Sequence, residues 1–286
     1  MESSFLTTIF LPLALFIIML GMGLSLTLKD FKRVMEEPRG VMLGLIAQLL
    51  LLPMVGFLLA SLFSLSPELA VGVMILAACP GGSTSNIITY LIKGNVALSI
   101  TLTALSSLIT IITIPLVVNV SANYFMGENF AFQLPVIKTI IQIAMITLFP
   151  ISLGMVCHYR LPKLAMVIEQ KIKWLSLFFL GIIIVGILLK ERENFASFFL
   201  QVGGVTVSLN LLTMALGYGI ALWAGLGLAD RKSITVEVGI QNGTLVIAIA
   251  TTLLNNPTMA IPAAIYALVM FFTSAIFVGA LKFLVI

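Results

Sequence analysis

The chain has 286 residues, 60% of them hydrophobic and only 9% charged, with a formal net charge of +4 at pH 7. So few charges cannot clothe a water-facing surface, which excludes a soluble globular fold and makes lipid the solvent. The basic residues sit in short clusters between apolar runs, which excludes a nucleic-acid-binding face, and two cysteines, Cys79 and Cys157, are too few for a disulfide framework or a four-ligand zinc site.

Met1-Glu2-Ser3-Ser4 carries no positive n-region, so the first apolar run is expected to be a retained span and not a signal peptide. Apolar runs between breakers predict an all-α polytopic membrane protein with nine spans, at about 5–26, 41–62, 69–93, 95–120, 137–157, 174–190, 200–225, 233–254 and 259–284. The basic residues then set the orientation. With the N-terminus outside and the C-terminus cytoplasmic, Lys29, Lys32, Arg33, Arg39, Lys93, Arg160, Lys163, Lys171, Lys173, Arg231, Lys232 and Lys282 fall inside, and only Lys138, Lys190 and Arg192 fall outside.

Two spans are interrupted in mid-membrane. The third is broken at Cys79-Pro80-Gly81-Gly82-Ser83-Thr84-Ser85-Asn86 and the eighth at Glu237-Val238-Gly239-Ile240-Gln241-Asn242-Gly243-Thr244. Pro80 has no N–H to donate, the glycines tolerate unwound backbone, and Ser83, Thr84 and Asn242 can cap a restarting helix. Open backbone at that depth persists only where it lines a cavity or binds something. Spans two to four (plain, broken, plain) are echoed by spans seven to nine, and the broken ones run in opposite directions, as an inverted repeat requires.

Glu237 alone among the acidic residues is expected inside the bilayer, the others, Glu169 included, being placed in loops or at span edges. No Lys or Arg is expected at its depth, so its partner is a cation or a proton, unless it merely caps a half-helix in a wet vestibule. Neutral oxygens gather near it: Gln48 in span two, Ser85 and Asn86 at the first break, Ser99 and Thr103 four residues apart in span four, and Gln241 at the second break. Such oxygens suit a hard cation such as sodium. The restarting half-helices turn free N–H groups and a positive dipole end toward an anion near Ser83, Thr84, Asn242 and Gly243. Cys79 reads as a packing residue, His158 as a solvated loop residue, and the methionines as core or lipid contacts.

The two breaks resemble the signature stretches of the bile acid:sodium symporter family, as do Gly21-Met22-Gly23-Leu24 in span one and Lys93-Gly94-Asn95-Val96-Ala97-Leu98-Ser99 entering span four. The resemblance covers nearly the whole chain. It implies one transporter domain, residues 1–286, with a core from spans at about 41–120 and 200–284 and a panel from spans at about 5–26 and 137–190 that rocks against it. Family members usually have ten spans, so the first is expected to be missing here.

Carried over residue by residue, the resemblance implies a first sodium site at Ser85, Asn86, Ser99, Thr103 and Glu237, and a second at Gln48, Glu237, Gln241 and the backbone carbonyls of Val238 and Ile240. Two sodium ions with one monovalent anion would move one net charge inward, about 2.3 kcal/mol per 100 mV. In the last helix Met270-Phe271-Phe272-Thr273 stands where bacterial members often carry polar residues, which implies a more apolar cavity wall that includes Phe271. The expected partners are sodium, an organic anion (bile-acid-like or a small carboxylate) and the bilayer, with no nucleic acid and no obligate protein partner. The expected location is a bacterial inner membrane. A proton-coupled carrier or antiporter using Glu237 is the alternative; a membrane hydrolase is disfavoured, since no His or Asp is expected inside the membrane.

Overall fold

The computed structural model describes residues 10–127, 135–190 and 195–283. The start of the first expected span, Arg192 and residue 284 lie outside them. Among the described residues the regular structure is helical, apart from one isolated antiparallel bridge between Gly81 and Gln241.

The helices are α1 (Leu11–Ser25), α2 (Leu28–Glu36), α3 (Pro38–Leu62), α4 (Pro67–Ala78), α5 (Thr84–Leu91), α6 (Val96–Met126), α7 (Val136–Arg160), α8 (Pro162–Lys190), α9 (Phe195–Trp223), α10 (Leu228–Gly239), α11 (Gly243–Leu253) and α12 (Ile261–Phe283). By length and composition, five of the described helices cross a bilayer unaided, and α1 with α2, bent by 59°, makes a sixth candidate. Each expected span falls on helix, and the two expected to be broken are the pairs α4–α5 and α10–α11, too short singly to cross.

The surface confirms the solvent. Large apolar side chains are exposed every fourth residue, as at Leu50, Met54 and Leu58 on α3 and at Ile137, Ile141, Met145 and Phe149 on α7. The interior holds the polar groups: Gln48, Ser85, Thr89, Ser99, Thr103, Asn210, Thr213, Glu237 and Gln241 are all buried. A water-soluble domain has the reverse pattern.

Three sequence expectations are corrected. The stretch after span one is helix, not loop: Asp30 accepts both the N–H and the hydroxyl of Thr27 at 2.7 Å, a cap that starts amphipathic α2. The basic stretch between spans five and six is helical too, with only Leu161 separating α7 from α8, because Lys and Arg are good helix formers whose charges extend beyond the hydrocarbon. That extension places Glu169 well inside α8, and it turns His158 from a loop residue into a last-turn residue of α7 bonded to the Leu24 carbonyl.

Two packing groups result. α1 lies against α7 and α8, while α3 to α6 and α9 to α12 pack around the crossing of the two broken helices. At the α1–α7 crossing the backbones touch: a Cβ on Gly23 would overlap the Ile151 carbonyl, and one on Gly154 would meet Leu20 and Gly23 backbone. Backbone cannot step aside as a side chain can. Gly23→Ala is therefore expected to lower the melting temperature in detergent, with a cost of about 1–3 kcal/mol, whereas Gly219→Ala, with nothing within 4 Å, leaves it unchanged.

The two broken helices and their flanks share a residue-level register. Left-handed backbone at Ser64 and at Gly225, 161 positions apart, follows the end of the helix that precedes each broken helix. Left-handed Lys93 and Asn255, 162 apart, end the broken helices, and Asn95 and Asn256, 161 apart, cap the next helices through their side chains. The paired residues of the bridge, Gly81 and Gln241, are 160 apart. The backbone turns recur although the side chains at the matched positions mostly differ.

Asn95 also knits one end of the bundle. Its amide donates to Glu37 Oε2 at 3.1 Å and to Asp230 Oδ1 at 2.9 Å, and its backbone carbonyl accepts from the Ser233 hydroxyl at 2.9 Å. The starts of α3, α6 and α10 are held together there.

Candidate ion and substrate site

The crossing is built from the breaks. Cys79 takes extended backbone and ends α4, and Ile240 does the same for α10. The open backbone groups then satisfy one another: Gly82 N–H donates to Ile240 O at 2.9 Å and Asn242 N–H to Pro80 O at 3.0 Å. This short antiparallel pairing meets the demand for backbone hydrogen bonds in hydrocarbon. Asn242 caps α11 by accepting from Leu245 N–H at 3.1 Å; Ser83 occupies the capping position of α5 without a side-chain bond.

Glu237 lies in the last turn of α10, fully buried. Its Oε2 accepts from Ser85 Oγ and Ser99 Oγ, both at 2.8 Å, and its Oε1 from Thr103 Oγ1 at 2.5 Å. Two helices thus deliver three hydroxyls to one carboxylate, Ser85 from α5, and Ser99 and Thr103 from one face of α6. Among the described residues no basic side chain bonds to or pairs with it. Gly81 makes room: a Cβ there would overlap Glu237 Oε1. Beside this cluster Asn86 Oδ1 is buried with no hydrogen-bond partner, and a buried orphan acceptor calls for a donor or a cation.

A second cluster of oxygens adjoins it. Gln48 sits in a π-helical turn, Ala47–Leu51, where Leu52 N–H reaches back five residues to Ala47 O just ahead of Pro53. Its Nε2 donates to Cys79 O at 3.0 Å and to Gln241 Oε1 at 2.7 Å. Gln241 Nε2 donates to Val238 O at 2.8 Å. Gln48, Gln241 and Val238 are therefore contiguous, and Gln241 Nε2 lies 3.5 Å from the backbone carbonyl of Glu237, while the Ile240 carbonyl is turned into the crossing toward Gly82.

Two cavities open between α1 and α8 on one side and the crossing on the other. One, of about 290 Å³, is lined by Ile18, Ser25, Ser83, Asn86, Ile100 and Ser176 among others, and by Glu169. The other, of about 40 Å³, is lined by Ser83, Thr84, Asn242, Gly243, Leu180 and Met270. Four of the five expected substrate contacts thus line a cavity. Phe271 packs against the main apolar core, and its neighbour Met270 lines the smaller cavity. Asn242 Nδ2 is buried with no partner.

Sequence reading missed the groups behind the crossing. Asn210 Nδ2 donates to Gly239 O at 2.8 Å and Tyr266 OH to the same oxygen at 3.0 Å. An asparagine inside an otherwise apolar span was the available signal.

Residues 12–198, more than half of the chain, match the family described as Sodium Bile acid symporter family. Among curated proteins the chain is 33% identical over 258 residues to "Uncharacterized sodium-dependent transporter YocS" of Bacillus subtilis, covering 90% of this chain and 78% of that protein. It is 32% identical to "Probable sodium/metabolite cotransporter BASS2, chloroplastic" of Oryza sativa, covering 87% and 58% respectively. It is 31% identical to "Sodium/bile acid cotransporter 4" of Homo sapiens, covering 84% and 55%. The chain thus spans most of the bacterial relative and little more than half of the plant and human ones. With its two crossed half-helices, its buried carboxylate among hydroxyls and these matches, the chain belongs to the Sodium Bile acid symporter family and is a membrane transport protein, not an enzyme.

Proposed function

We propose that the chain is a sodium-coupled symporter of a small organic anion, working by alternating access between the α1–α7–α8 group and the remainder. The observation that carries this reading is Glu237, buried among three hydroxyls with no basic partner among the described residues. An ionised carboxylate in such a place is costly until a cation joins it. Ser85, Ser99 and Thr103 each keep lone pairs for a cation, and the orphan Asn86 Oδ1 completes a first set of hard oxygen ligands. Gln48, Gln241, Val238 O and Glu237 supply a second set, the Ile240 carbonyl keeping one lone pair for it. A proton needs none of these neutral oxygens, which disfavours the proton-coupled alternative.

The anion sits at the cavities, where Ser83, Thr84, Asn242 and Gly243 meet the start of α5 and the orphan Asn242 Nδ2 awaits an acceptor. About 290 Å³ is at the small end of ligand pockets, which suits a short carboxylate with an apolar body better than a steroid. A cation at Glu237 cancels the charge that would repel that anion, which is the physical basis of coupling. The Lys and Arg bias sets the N-terminus outside and the C-terminus in the cytoplasm.

The test is thermal stability of purified protein titrated with sodium against potassium at constant ionic strength. Trp174 and Trp223 both face outward, so intrinsic fluorescence is a poor reporter. A saturable rise in melting temperature with sodium alone is expected, reflecting about 2.7 kcal/mol of stabilisation at a hundred times the dissociation constant. A response to pH in place of sodium would overturn sodium coupling.

A further inference from the structure

Where α9 and α12 meet the end of α10 lies a polar cluster that the transport cycle above does not use. Asn210 on α9 is 0% exposed and Tyr266 on α12 is 1% exposed. Both donate to one acceptor, the Gly239 carbonyl, at 2.8 Å from Asn210 Nδ2 and 3.0 Å from Tyr266 OH. Asn210 Nδ2 also reaches Tyr266 OH at 3.1 Å, closing a triangle. One turn along α9, Thr213 Oγ1 lies 3.4 Å from the neighbouring carbonyl, Val238 O.

The location has a physical reason. An uninterrupted α10 would satisfy the Gly239 carbonyl with the N–H of residue 243, but Gly243 N–H is turned to Gln241 O, 3.0 Å away. The break therefore leaves a bare carbonyl in hydrocarbon, and α9 and α12 supply its donors. Gly239 itself is fixed sterically, since a Cβ there would meet the Met214 side chain of α9. Its two flanking segments carry the oxygens of the second cluster: Val238 O immediately before, and Gln241 two residues after.

We propose that Asn210 and Tyr266 are positioning residues for sodium: by clamping the Gly239 carbonyl from behind, they hold Val238 O and the Gln241 amide aimed at the cation shared with Glu237. This rests on the sodium-coupled reading given above. The clamp touches neither ion nor substrate. Its contribution is preorganisation: a peptide free to rotate about the break must be ordered each time an ion binds, and one held by two donors is already in place. The clamp also joins α9 and α12 to the ion site, so that helices remote from the carboxylate sense whether it is occupied.

The test compares wild type, Tyr266→Phe and Asn210→Leu. Each variant removes one donor to Gly239 O and keeps most of the packing volume. Sodium-dependent melting shifts give the half-saturating sodium concentration, and uptake of a short carboxylate into vesicles at saturating sodium gives the substrate KM. For each variant the half-saturating sodium is expected to rise about fivefold, the scale of one net hydrogen bond, with substrate KM at saturating sodium unchanged. A purely structural role predicts instead a lower melting temperature in potassium with the sodium concentration dependence intact, and that result would overturn the proposal. Tyr266→Phe keeps it testable if Asn210→Leu fails to fold. Wild type without any sodium response would remove the sodium reading and the clamp with it; a responsive wild type matched by both variants would remove the clamp alone.

Discussion

Glu237→Gln is expected to abolish sodium-driven uptake while leaving the protein folded, and to leave its melting temperature in potassium equal to or above that of wild type. The two halves of this outcome have one cause. A carboxylate with three hydroxyl donors and, among the described residues, no basic partner is a destabilising choice for a buried position, and a neutral amide of the same shape relieves that cost. The same change removes the formal charge at the centre of the three hydroxyls, so a cation bound there loses its strongest ligand. A loss of a hundredfold or more in sodium affinity, about 2.7 kcal/mol, is the expected scale. The checks are sodium-titrated thermal stability and vesicle uptake under a sodium gradient. Uptake that survives at wild-type sodium dependence would sink the ion-site assignment.

Gly81→Ala is the second large effect, and it acts without touching charge. A Cβ at residue 81 would overlap Glu237 Oε1 and approach its carboxyl carbon to 2.9 Å, so the carboxylate has to move. It cannot move far, because Ser85, Ser99 and Thr103 hold it from the opposite side. The expected result is a tenfold or greater rise in half-saturating sodium, with overpacking costing about 1–3 kcal/mol of stability. Gly82→Ala is the contrast: its nearest neighbour, Gln241 O, would be 3.1 Å away, so a smaller effect is expected there. Equal effects of the two would show that the crossing responds to bulk alone.

The parts of this architecture that were legible in the sequence were those written in local chemistry. Pro80 with two glycines, and Gly239 with Gly243, mark breaks wherever an apolar run is otherwise long enough to span, and the structure breaks in both places. Glu237 stood out because it was an acid with no neighbouring charge. Ser85, Ser99 and Thr103 came from spacing and from the family resemblance, and the structure brings all three onto that carboxylate. The illegible parts depend on tertiary placement. Asn210 and Tyr266 are separated from Gly239 by 29 and 27 residues, and nothing in their own segments says that a bare carbonyl will arrive there. The π-helical turn that aims Gln48 arises from how Pro53 is accommodated, which periodicity does not show. Within Met270-Phe271-Phe272-Thr273 the sequence does not say which side chain reaches the cavity; Met270 lines it and Phe271 packs against the apolar core. The helical character of Leu28–Glu36 was legible in principle, in Thr27 with Asp30 three residues later, but its charges read as loop.

The mutual pairing of the two breaks has a consequence for biogenesis. Ile240 O is satisfied by Gly82 N–H, and Pro80 O by Asn242 N–H, so each half-made crossing carries bare backbone that only the other half can cover. The second half is synthesised about 160 residues after the first. At 5–20 residues per second, that is a wait of roughly ten to thirty seconds. During that interval α4 and α5 cannot rest in hydrocarbon as a finished span, because each uncovered backbone group would cost several kcal/mol. The first break must therefore stay wet, or be sheltered by the insertion machinery, until α10 and α11 arrive. The first break is then covered only when α10 and α11 reach it, and the hydroxyls of Ser85, Ser99 and Thr103 meet Glu237 in the same event.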